Sequence, residues 1–162
     1  MRTPQQLRLV RVEWTGPLTY QEVTELNSQE NDFGMYQICA YHNVFGPQSL
    51  IYVGKAQQRP FAIRFSEHWQ DWLKNQREIK IYVGRMFRED FNKDDNHADW
   101  NQLLADLECL TIHYHSPPFN SMSIGQYSGQ PLHVQFWGDR GALMQEFSSH
   151  WVEARPDDSE PE

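Results

Sequence analysis

The stretch GMYQICAYHNVFGPQSLIYVGKA, residues 34–56, decides how this chain reads. Two runs rich in β-branched and aromatic residues, 34–42 and 49–56, flank NVFGPQ, whose Gly46-Pro47 pair is turn chemistry. The pattern predicts a β-hairpin. Within it one tyrosine follows a glycine (Gly34, Tyr36) and a second precedes one (Tyr52, Gly54). Arg64 and His68 come next, four residues apart, on one face of a predicted helix that opens after Pro60 and runs to about residue 75.

Outward from that core, EIKIYVGRMF (78–87) alternates and predicts a third strand. REDFNKDDN is a polar loop. A helix is predicted over 96–113, with Leu103, Leu104, Leu107 and Leu110 on one side and Pro117-Pro118 beyond its end. On the N-terminal side, LRLVRVEW (7–14) reads as a strand, TGPL as a turn, and TYQEVTELNSQ as a short helix opened by a Thr19/Glu22 capping box. On the C-terminal side, LHVQFW reads as a late strand and RGALMQEFSSHWVEA as a closing helix. The fold class predicted is α+β, a small antiparallel central sheet of about three strands flanked by helices. The chain of 162 residues predicts one domain over 1–156, motif core 34–120, followed by an acidic tail, 157–162, expected to be disordered.

Composition narrows the function classes. No run of 18 apolar residues exists, so no membrane-spanning helix is predicted. The N-terminus lacks an apolar signal-peptide core, and Cys39 and Cys109 sit in apolar surroundings as free thiols do, so the expected location is cytoplasmic. The net charge of −8 opposes a nucleic-acid partner in bulk. It is unevenly spread. The tail holds four of the 22 acids, and residues 55–93 carry nine Lys and Arg against five acids. A local basic face can meet phosphates because exposed fields decay within about 8 Å at physiological salt.

Gly34-Met35-Tyr36, Tyr52-Val53-Gly54-Lys55-Ala56, Arg64, His68, Glu108 and Pro118-Phe119-Asn120 stand in the order of the GIY-YIG nucleases, which this chain resembles. The interval from Gly54 to Arg64 is longer than that family's usual one, and Pro60 accounts for it by lengthening the turn before the helix. The resemblance implies a Mg²⁺- or Mn²⁺-dependent endonuclease cutting DNA, most naturally duplex, as a monomer or homodimer. It implies catalytic roles for Tyr36, Tyr52, Arg64, His68, Glu108 and Asn120, with Gly34, Gly54 and Lys55 against the substrate and Glu108 on the metal.

The chemistry suits those residue types. Hydrolysis of a phosphodiester needs a water deprotonated as it attacks, and a tyrosinate at Tyr36 would need nearby positive charge from Arg64, Lys55 or the metal. Tyr52 would hold Tyr36 or the water in place. Arg64 offers a planar fork to the charge growing on a phosphate oxygen, and His68 can pass a proton or donate to phosphate. Glu108 lies among leucines, where a carboxylate is costly unless paired or metal-bound, and Mg²⁺ often takes a single carboxylate. Gly34 and Gly54 leave room for close approach, and Asn120 anchors its loop or a phosphate. The rival readings are a catalytically silent nucleic-acid-binding or regulatory module and a toxin-type RNase.

Overall fold

The computed structural model describes residues 6–153, so the acidic tail 157–162 lies outside the described residues. In chain order the elements are β1 (Arg8–Leu18), α1 (Tyr20–Val23), β2 (Gly34–His42), β3 (Gly46–Ala56), α2 (Phe61–Asp71), β4 (Lys80–Met86), α3 (Ala98–His115), β5 (Leu132–Gly138), β6 (Glu146–Ser148) and α4 (His150–Glu153). The strands form one sheet in the order β3-β2-β4-β1-β5-β6.

This corrects the predicted sheet. It has six strands, not about three, and it is mixed, not antiparallel: β1 runs parallel to β5, from Arg8 opposite Leu132 to Trp14 opposite Gly138. The hairpin β2–β3 and the antiparallel pairing of β2 with β4 lie within that larger sheet. The reason is physical. Alternation marks a stretch as a strand but says nothing of its partners. Val10, Val12 and Trp14 of β1 and Leu132, Val134 and Phe136 of β5 all bury toward one core, and that burial joins the two ends of the chain.

Two local expectations also change. TGPL does not turn the chain; β1 continues through it to Leu18, with a register irregularity between Thr15 and Leu18 around Pro17, which has no N–H to give the ladder. The closing helix shrinks to α4, because Glu146–Ser148 instead pairs with β5. Phe147 there is fully buried, with the Tyr114 and Phe136 ring centres 5.2 and 5.4 Å away. Leu143, Phe147 and Trp151 recur every four residues and mimic a helical period that the burial of Phe147 overrides.

Strand β2 is buried from Gly34 to Ala40 because elements cover both its faces. Tyr36, Ile38 and Ala40 pack in one core with Phe61 and Phe65 of α2. Met35 packs on the opposite side with Leu103, Leu104 and Leu107 of α3. The capping box at Thr19 forms in both directions and starts the four-residue α1. No helix among the described residues is long and apolar enough to cross a membrane.

Candidate active site

Tyr36 projects from β2 into the α2 core with no exposed surface. Its hydroxyl lies 2.5 Å from Nε2 of His68, one turn along α2 from Arg64. The other ring nitrogen of His68, Nδ1, lies 3.2 Å from the indole Nε1 of Trp72, a further turn along. An indole N–H can only donate, so Nδ1 must be the acceptor. A neutral His68 therefore carries its proton on Nε2 and offers it to the Tyr36 oxygen. Burial, reinforced by the charge of Arg64, pushes the His68 pKa down to about 4, so the neutral imidazole is the working form near pH 7.

Tyr36 itself is pushed well above the usual phenol range, first by burial and then by Tyr52, with the positive charge of Arg64 pulling the other way. The predicted tyrosinate is thus not the resting form. The group presented is a neutral phenol whose oxygen accepts from His68 and which also lies within hydrogen-bonding reach of Arg64 and Tyr52. Tyr52 stacks 6.1 Å from the Tyr36 ring and meets His68 and Trp72 edge-on or tilted at 5.2 and 5.6 Å. Burial and the charge of Glu108 raise its pKa as well.

Arg64 is the arginine whose charge acts on Tyr36, Tyr52 and Glu108. Its guanidinium pairs with Glu67 at 2.9 Å, and Arg59 approaches the same carboxylate while remaining exposed. Glu108, in the third turn of α3, is half-buried, and among the described residues nothing hydrogen-bonds or ion-pairs with it. Burial raises its pKa, while Lys55 and Arg64 lower it from a distance.

That uncompensated carboxylate is the test of the implied metal. No group of three or more His, Cys, Asp or Glu side chains among the described residues could form a protein cage for an ion. Glu108 does fit Mg²⁺ or Mn²⁺ held by one carboxylate, with water and substrate phosphate completing the shell.

No described family, curated protein or solved structure matches this chain. The reading of the site therefore rests on its own geometry.

Tyr36, Tyr52, Arg64, His68, Glu108 and Lys55 thus act on one another. The remaining three candidates are committed to the scaffold. A Cβ on Gly54 would collide with the Tyr36 ring, and one on Gly34, whose φ is 147°, would lie 2.1 Å from the Gly84 carbonyl oxygen. Asn120 accepts from the Val53 N–H at 2.9 Å and donates to the Val53 carbonyl at 2.8 Å, closing its loop on β3, the edge strand. Beside it, the Phe119 N–H bonds the carbonyl of Ile51, the extra residue at a register shift in β3 next to Tyr52. Trp72 is a residue that the sequence did not single out. Its signal was the spacing: Arg64, His68 and Trp72 recur every four residues on one helix face.

Proposed function

We propose that this chain is a divalent-metal-dependent endonuclease of the GIY-YIG kind that hydrolyses DNA phosphodiester bonds. One observation carries the reading: the buried Tyr36–His68–Trp72 chain lies within electrostatic reach of Arg64 and of the otherwise unpartnered Glu108 carboxylate. A neutral phenol polarised by an imidazole N–H can donate to an attacking water or a phosphate oxygen and fix its position. Arg64 stabilises charge developing on the phosphate. Glu108, with Lys55 near it, would hold the metal, whose chemistry is to lower the pKa of a bound water and offset phosphate charge.

Binding to DNA is supported by a cavity of about 740 Å³ at the Gly34 end of the strands, lined by Arg85, Arg88 and Lys93 of the basic segment and by Phe91 and Trp100. A DNA substrate goes with a cytoplasmic location. The complete burial of Tyr36 favours a second reading, a DNA-binding module without catalysis, because water must reach a hydroxyl that has no exposed surface. Incubating the chain with supercoiled plasmid and Mg²⁺ or Mn²⁺ separates the two. Nicking that is abolished by chelator supports the enzyme; salt-sensitive binding with intact plasmid supports the module; the absence of both overturns the nucleic-acid reading.

A further inference from the structure

We propose that a second cavity, between the β2–β3 hairpin and the turn after α2, is a nucleobase subsite that takes a base of the substrate strand by its acceptor edge, guanine best. This deepens the nuclease reading and rests on it. The cavity measures about 420 Å³ and includes Tyr41, His42, Asn75, Gln76, Arg77 and Phe119 in its lining, with no carboxylate.

Local contacts orient two of its donors, although Tyr41 and Arg77 are solvent-exposed. The Arg77 guanidinium lies over the Tyr41 ring, 4.7 Å from its centre, and the Arg77 carbonyl accepts the Tyr41 N–H at 2.9 Å. His42 Nδ1 accepts from the Val44 and Phe45 N–H groups at 3.1 and 3.2 Å, so a neutral His42 carries its proton on Nε2 and donates there. The imidazole is stacked on Phe45 at 4.8 Å and meets Phe119 edge-on at 6.3 Å. Two donors, the flanking amides of Asn75 and Gln76, and aromatic walls call for a planar ligand with adjacent acceptors. The N7 and O6 atoms of guanine form that edge, and a guanidinium fork is their best partner. A bare anion could take the amide and guanidinium N–H groups but would leave the rings unused.

The cavity lies beside the chemistry. Trp72, which holds His68 in its tautomer, packs edge-on against Phe119 with ring centres 5.4 Å apart. One indole therefore separates the imidazole at Tyr36 from the cavity wall, so the base held there belongs to a nucleotide near the scissile phosphate. At the hairpin tip, Val44 and Phe45 are 78% and 66% exposed and extend an apolar surface past the cavity mouth.

The test titrates ¹⁵N-labelled full-length chain with GMP, AMP and inorganic phosphate in separate arms, to tens of millimolar, following the Tyr41, Arg77 and Phe119 amides and the Arg77 Nε–H. GMP is expected to shift all four signals and to bind about tenfold tighter than AMP, with phosphate moving none of them. Arg77→Lys, which keeps the charge and loses the fork, is expected to erase the preference for GMP at an unchanged melting temperature. Phosphate shifts equal to those of GMP, GMP shifts lying elsewhere, equal GMP and AMP affinities, or no shift with any probe overturn the proposal. Plasmid cleavage by a chain whose cavity ignores GMP overturns this inference alone. GMP binding by a chain that does not cleave overturns the nuclease reading and leaves the cavity standing.

Discussion

A Cβ placed on Gly54 would fall 2.5 Å from the Tyr36 hydroxyl oxygen. The two residues are opposite each other across the β2–β3 pair, and the Tyr36 ring lies over the glycine. Glycine at 54 is therefore what lets the phenol reach His68.

Gly54→Ala is accordingly expected to displace Tyr36 and break its bond to His68. The cost of crowding a filled core is about 1–3 kcal/mol, visible as a lower melting temperature. Metal-dependent nicking should fall more than Tyr36→Phe alone would make it fall, because the whole ring moves. A Gly54→Ala protein with wild-type stability and an unshifted His68 signal would contradict this placement.

The tautomer of His68 is directly observable. Long-range ¹⁵N–¹H correlation should show the proton on Nε2 in the wild type and a mixture of tautomers in Trp72→Phe, which removes the donor to Nδ1. The imidazole should titrate near pH 4. The folded state holds it neutral, while the unfolded chain protonates it below about 6.5. Its contribution is therefore fully present above about pH 6.5 and drains away as pH falls toward 4, by roughly 3 kcal/mol in all. His68→Gln should flatten that part of the stability–pH curve.

Glu108 is expected to work against the fold that carries it. Its raised pKa means that folding disfavours the carboxylate form. Stability is thus lost as pH rises through the ordinary glutamate range toward the raised value. Measured in chelator at pH 7, Glu108→Gln should melt higher than wild type, and the gain should vanish in acid. The same variant should fail to nick plasmid in Mg²⁺, a stability–function exchange. A Gln variant that is active or less stable would remove Glu108 from the site.

For Asn120 the expectation is structural. Asn120→Ala strips the Val53 N–H and carbonyl of their partners and should cost about 1–3 kcal/mol. DNA affinity should stay at the wild-type level, whereas Arg64→Ala should lower it. An unchanged melting temperature with lost activity would instead return Asn120 to the chemistry.

How much was legible follows from what each signal encodes. The hairpin, α2 and the Thr19/Glu22 cap were readable from local signals, although the hairpin turns at 43–45 and the predicted turn pair Gly46-Pro47 opens β3. Arg64 and His68 were legible as neighbours because their spacing puts them on one helix face, and Glu108 stood out as a carboxylate among leucines. The roles of Gly54 and Asn120 were not, since both depend on which strand lies opposite, and pairing leaves no mark in one strand's own sequence. The parallel union of β1 with β5 was hidden for the same reason, and Phe147 imitated a helix because one residue cannot show what it packs against.

That union also sets an order of assembly. Leaving a ribosome at about 5–20 residues per second, Arg8 precedes its partner Leu132 by roughly 6–25 seconds. During that interval the hairpin β2–β3, then β4, can zip onto β1 by comparatively local antiparallel contacts, bringing Tyr36, His68 and Glu108 together. The far edge of β1 meanwhile offers a row of unpaired amides to any passing strand. The nascent chain thus assembles the hairpin side of its sheet while one edge of β1 still lacks a neighbour, and the arrival of β5 closes that edge.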